Sequence, residues 1–186
     1  MILIVCGSDK SGKSSLIKKL KSDVFKNAIV FKLSEGNKPT GRAYPEVEAA
    51  RVYTAYSELF AQAKKLSDDG HVVIFDRAYP SQMVYCIKRQ GYTGWTDALN
   101  DEIWLTFDRW VAGLGTKMIY CWAPDHIIAE RFKTEKEEYM RTDEIEAIKG
   151  RYMQFLERSK VKALLMNSTE DMDLNIEDVK KFVSLK

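Results

Sequence analysis

Short apolar runs alternate along this chain with stretches whose apolar positions recur every three or four residues. "MILIVC" opens the chain as a strand candidate, and Lys13 to Val24 follows as a helix with Leu16, Ile17 and Leu20 on one side. "NAIVFKL" reads as a second strand, and "SEGNKPT" (Ser34 to Thr40) as a loop rich in turn residues. A long helix is predicted from Pro45 to about Ser67, with Val47, Ala50, Thr54, Leu59, Ala63 and Leu66 near helical spacing. "HVVIF" after Gly70 is a third strand; Ser81 to Arg89 and Ala98 to Ala112 look helical. "KMIYCW" is the fourth strand, and Pro124 opens a helix after it. Ile145, Ile148, Tyr152, Phe155 and Ser159 mark another amphipathic helix, "VKALLM" the fifth strand, and "NIEDVKKFVSL" a closing helix. Continuous apolar strands separated by helices predict an α/β fold, a parallel sheet covered on both faces.

Composition narrows the class. The 186 residues suit one domain spanning 1–186, with 45% hydrophobic and 30% charged residues, as in a soluble globular protein. A net charge of +2 offers no global field for DNA or RNA, so stable nucleic-acid binding is not expected. Cys6, Cys86 and Cys121 show no CxxC spacing, and two histidines are too few for a metal cluster. Reduced, buried thiols fit a cytoplasmic setting. "MILIVC" is too short for a membrane span and lacks the charged leader of a signal peptide, so no membrane association is expected.

The candidate chemistry begins where the first strand ends. Gly7, Ser8, Asp9, Lys10, Ser11, Gly12, Lys13 and Ser14 fit G-x-x-x-x-G-K-S, and Ser15 follows. Glycines let backbone N–H groups curl around phosphate oxygens, and the helix that begins there adds its unpaired donors. In this pattern Lys13 bridges the outer phosphates of ATP and the Ser14 hydroxyl ligates Mg2+. A strand before the loop and a helix after it are the context the motif requires.

The third strand runs into "IFDRAYPSQMVY". Asp76 should emerge at the carboxyl edge of the sheet, where open α/β sheets place ligands. If its strand neighbours the first, Asp76 faces the phosphate loop and can organise Mg2+ or its waters. Arg77 offers a planar fork for a phosphate. A plain ion pair at a strand end is the competing reading.

These motifs resemble the thymidylate kinase family of nucleoside monophosphate kinases. "LIVCGSDKSGKSSLIKKL" is similar to the family's opening, with an acid inside the phosphate loop, and "DRAYPSQMVY" resembles its Asp-Arg motif. "CWAPDHIIAERF" and "IKGRYMQFL" resemble the strand, turn and helices around its lid. The resemblance spans nearly the whole chain, but only the first two motifs are specific. It implies a three-layer P-loop kinase fold with sheet order 2-3-1-4-5, and transfer of the γ-phosphoryl group of ATP to a nucleoside monophosphate such as dTMP. Asp9 then matches the acid that contacts the acceptor sugar, and Lys10 a catalytic basic position. Arg77 matches the arginine that grips the acceptor phosphate, with Lys32 as a second cation there. The base-contacting positions depart from the family: Arg51 is out of register, while Tyr53 and Tyr56 either stack on a base or belong to the core or an interface. A homodimer formed through helices is also implied, with Trp95, Trp104 and Trp110 as interface or core residues.

Two anionic reactants need cations more than a strong base. Lys10, Lys13 and Arg77 supply them from the sheet. Arg131, Lys133, Lys136 and Arg141 are candidates on a charged lid at about 131–143, with Arg131 the first choice; a solvated helical face is the alternative. One rival is a kinase for a hydroxyl of a deoxynucleoside or nucleic acid, with Glu35 or Asp76 as base. A GTP-binding switch is rejected, because "NKPT" lacks the guanine-reading acid and falls before the third strand.

Overall fold

The computed structural model describes residues 1–32, 45–85, 102–134 and 140–184, and side chains in all of these except 45–49. Five parallel strands form one sheet: β1 (Ile2–Cys6), β2 (Ile29–Phe31), β3 (Val73–Asp76), β4 (Lys117–Trp122) and β5 (Lys162–Asn167). Their spatial order is β2-β3-β1-β4-β5, as the family resemblance implied. The register sets Val5 beside Asp76 and Phe31 beside Phe75, so Cys6, Phe31 and Asp76 leave the sheet at one edge.

Successive strand side chains point to opposite faces, and both faces are covered. Ile2, Ile4 and Cys6 of β1, with Met118 and Tyr120 of β4, join a core roofed by α2 (Pro45–Asp68), α3 (Tyr79–Tyr85), α4 (Glu102–Gly113), α5 (Asp125–Thr134) and α6 (Ile145–Arg158). Leu3, Val5, Ile119 and Cys121 face the other way, against α1 (Lys13–Lys19) and α7 (Met172–Ser184). Residues apolar on both faces make β1 the hydrophobic run seen in the sequence, and burying each side chain contributes about 1.5–3 kcal/mol. None of the described helices is long and apolar enough to cross a membrane.

Several expected boundaries move. The first helix becomes π-helical over Leu20–Val24, where the Phe25 N–H reaches back five residues to the Leu20 carbonyl at 2.7 Å. The helix expected from Ser81 begins at Tyr79, and the one expected from Ala98 is described from Glu102. Residues 98–101, the Ser34–Thr40 loop with Glu35, Cys86, the stretch 86–89, Trp95 and Lys136 lie outside the described residues. Trp104 is buried beneath α2, whereas Trp110 on the same helix is partly exposed.

Candidate active site

The segments that follow β1, β2, β3 and β5 line one cavity of about 510 Å3, with the helix that follows β4. The loop after β1 contributes Asp9, Lys10, Gly12, Lys13, Ser14 and Ser15; the ends of β2 and β3 add Lys32, Asp76 and Arg77. Arg131 and Thr134 of α5 close one side, and Ser168 and Met172 after β5 close another.

The loop's path depends on its glycines. Gly7 has φ 142°, and a Cβ there would overlap the Cys121 carbonyl oxygen of β4. Gly12 has φ 91°, and its Cβ would fall 2.6 Å from the Cβ of Ser168. Neither site has room for a side chain, and both use backbone angles that suit glycine. Lys10, Arg77 and Ala78 adopt positive φ without that freedom, at 60°, 81° and 79°. Backbone strain at non-glycine residues costs roughly 1–3 kcal/mol apiece and gathers at functional sites.

Inside the loop the Lys13 ammonium donates to the Ser8 carbonyl, with the Ser11 hydroxyl 3.4 Å away. Burial lowers Lys13 to about 7; Arg77 adds to the shift, and Asp9 opposes it. The Arg77 guanidinium donates to Asp9 Oδ1, so the β3 arginine and the loop acid form a pair at the cavity wall. Asp9 Oδ2 is buried with no hydrogen-bond partner. Buried carboxylate oxygens are almost always satisfied, so an orphan on a residue that lines the cavity points to a missing donor. Lys32, largely exposed, approaches Asp76 at 3.7 Å.

Arg131 donates to the Lys10 carbonyl at 2.7 Å and to the Ser168 hydroxyl at 3.1 Å, which ties α5 to the loop after β1 and to the turn after β5. The other lid candidates are placed differently. Lys133 is exposed on α5. Arg141 pairs with its own neighbours, Asp143 at 3.3 Å and Glu144 at 3.4 Å, and is not among the described cavity residues. Arg51, Tyr53 and Tyr56 on α2 also fall outside that lining. Tyr56 is buried and meets the Trp104 ring at 6.3 Å, while Tyr53 packs on Phe107 at 5.2 Å. Their aromatic bodies fill the gap between α2 and α4, the core alternative left open by the sequence.

Sequence reasoning missed Ser168 and Met172. The fifth strand was legible, and the rule that ligands collect beyond strand carboxyl ends could have pointed to "NST" after it. Ser14 and Asp76 offer a hydroxyl and a carboxylate to the same space. Such hard oxygen donors suit Mg2+, which keeps several waters and takes further ligands from substrate phosphates.

The fold is that of the P-loop nucleoside and nucleotide kinases. The chain aligns over 100% of its length, and 96% of the other, with the YorR protein of Bacillus subtilis, solved in complex with phosphorylated GDP, at TM-score 0.72 and 18% identity. Deoxyadenosine kinase from M. mycoides with bound dATP aligns over 99% and 100% of the two chains at TM-score 0.64 and 18% identity. Thymidylate kinase from Candida albicans aligns over 98% and 90% at TM-score 0.61 and 13% identity. No protein-family model matches the chain, and no curated protein does.

Proposed function

We propose that this chain is a nucleotide kinase resembling thymidylate kinase, which transfers the γ-phosphoryl group of ATP to the phosphate of a (deoxy)nucleoside monophosphate. The observation that carries the reading is the Arg77–Asp9 pair beside the phosphate loop. Arg77 offers a cation to an acceptor phosphate, and the unpartnered Asp9 Oδ2 offers an acceptor to a sugar hydroxyl on the same molecule. A nucleoside monophosphate carries both groups.

The residues divide the work. Backbone N–H groups from Gly7 to Ser15 enclose the donor phosphates, and Lys13, held at the Ser8 carbonyl, directs its ammonium to the outer phosphates. Ser14 and Asp76 would hold Mg2+, directly or through water. When bound, the ion neutralises donor charge and fixes the donor's geometry. Lys10, Lys32 and Arg131 add positive charge around the space where two anions must meet, which favours the transfer electrostatically. The attacking phosphate oxygen is already anionic, so no side chain has to remove a proton.

The position of Asp76 at the cavity wall supports a second reading, a kinase for a nucleoside hydroxyl, with that carboxylate as proton acceptor. One assay separates the two. ATP and Mg2+ are incubated with nucleosides, nucleoside monophosphates, GDP and an oligonucleotide, and the products are resolved by chromatography. Diphosphate formed from a monophosphate, dTMP first, is expected. Monophosphate formed only from nucleosides would transfer the assignment to the hydroxyl kinase, and no product from any acceptor would end both.

A further inference from the structure

Two tyrosines outside the cavity hold the first peptides of the phosphate loop. Tyr85 is the last described residue of α3 and Tyr152 lies within α6; they are 1% and 0% exposed, and their rings meet edge to face with centroids 6.3 Å apart. The Tyr85 hydroxyl accepts the Asp9 N–H at 3.2 Å. The Tyr152 hydroxyl donates to the Gly7 carbonyl at 3.0 Å and lies 2.8 Å from the Ser81 hydroxyl of α3. Burial pushes the Tyr85 phenol up to about 12 and Tyr152 well above the ordinary range, so both keep their protons near neutrality.

A trans peptide points its C=O and N–H in opposite directions, so holding one end aims the other. With its N–H on Tyr85, the Ser8–Asp9 peptide turns its carbonyl the opposite way, where the Lys13 ammonium meets it. With its carbonyl on Tyr152, the preceding Gly7–Ser8 peptide likewise has one direction left for the Ser8 N–H. Arg151, next to Tyr152, donates to the Val84 and Met83 carbonyls at 2.7 and 3.1 Å. It therefore ties the last described turn of α3, which carries Tyr85, to α6.

We propose that Tyr85 and Tyr152 are positioning residues of the phosphate loop, setting the direction of its first two peptides and, through the Ser8 carbonyl, the place of the Lys13 ammonium. The inference rests on the reading of Lys13 as a donor-phosphate ligand given above. It also links the two substrates: the amide of Asp9 hangs on α3 while its carboxylate holds Arg77.

Tyr85→Phe and Tyr152→Phe keep the rings and remove the hydroxyls. Each is expected to lower kcat/KM for ATP about tenfold, the scale of one lost hydrogen bond; the acceptor KM should stay within about twofold in Tyr152→Phe, whereas the Tyr85 hydroxyl also bonds Arg77 and its loss can raise that KM as well. Amide hydrogen exchange at Asp9, measured without nucleotide, should quicken in Tyr85→Phe. If that variant does not fold, 3-fluorotyrosine at position 85, equal in shape and a weaker acceptor, should still lower kcat/KM for ATP. A loss confined to acceptor KM would overturn the proposal, and so would ATP kinetics and Asp9 exchange left unchanged. Calorimetry on the wild-type chain separates the two levels. Without Mg·ATP uptake there, the kinase reading falls and the role assigned to Lys13 falls with it; uptake unaltered by both substitutions defeats this inference alone.

Discussion

Arg77→Ala separates the structural from the catalytic value of the Arg77–Asp9 pair. Asp9 is 6% exposed at its side chain and Arg77 21%. Removing the guanidinium leaves a buried carboxylate without its cation, a change that costs about 3–5 kcal/mol in fully buried pairs. The partial exposure of Arg77 puts the expected loss near the lower end, about 3 kcal/mol. For a chain of this length that lowers Tm by about 6–12 °C. Adding Asp9→Asn removes the stranded charge, so the double variant should recover most of that stability. Activity should behave otherwise. A charged hydrogen bond to the acceptor phosphate contributes about 2–3 kcal/mol, and its loss lowers kcat/KM for the acceptor about 30- to 150-fold. ATP affinity should barely change, and Asp9→Asn should restore none of the lost turnover. Thermal melts and initial rates on the wild-type, single and double variants test this. A double variant no more stable than Arg77→Ala would refute the stranded-charge argument, and equal losses for both substrates would refute the acceptor assignment.

Lys13→Ala should abolish phosphoryl transfer while circular dichroism and Tm show an intact fold; turnover by the purified variant would remove the phosphate-loop mechanism. Gly12→Ala places a methyl group 2.6 Å from Ser168 Cβ at φ 91°, so it should destabilise by about 2–5 kcal/mol from strain and overpacking together. Ser168→Gly in that background should return part of the loss in a chemical-denaturation series; no recovery would mean that Ser168 is not what the methyl group meets. Cys6 and Cys121 are buried, and burial raises both thiols, Cys121 to about 12. Since the thiolate is the reactive form, neither should be alkylated by iodoacetamide at pH 8 until denaturant is added, as read by peptide mass spectrometry.

Much of the fold was legible because its signals are local. Apolar runs such as "MILIVC" and "KMIYCW" announce strands buried on both faces, and the two glycines and the lysine after the first announce a tight loop that leads into a helix. The Asp-Arg step after "VVIF" was readable for the same reason, since a strand's last residues define the edge on which they emerge. Tyr53 and Tyr56 show where such reading stops. Helical spacing places them on one side of α2, but whether that side meets a base or a core depends on α4, whose Trp104 and Phe107 cover them.

The glycine-bounded loop after β1, the five strands and the charged residues at their carboxyl ends were encoded within windows of a dozen residues, where backbone sterics and hydrophobic periodicity act. The contacts that aim the loop were not. Asp9 meets Tyr85 across 76 residues, Gly7 meets Tyr152 across 145, and Lys10 meets Arg131 across 121. No spacing rule reaches that far. Strand order and helix packing bring such groups together, and a hydrogen bond at about 3 Å forms only once the whole sheet has set the register between them.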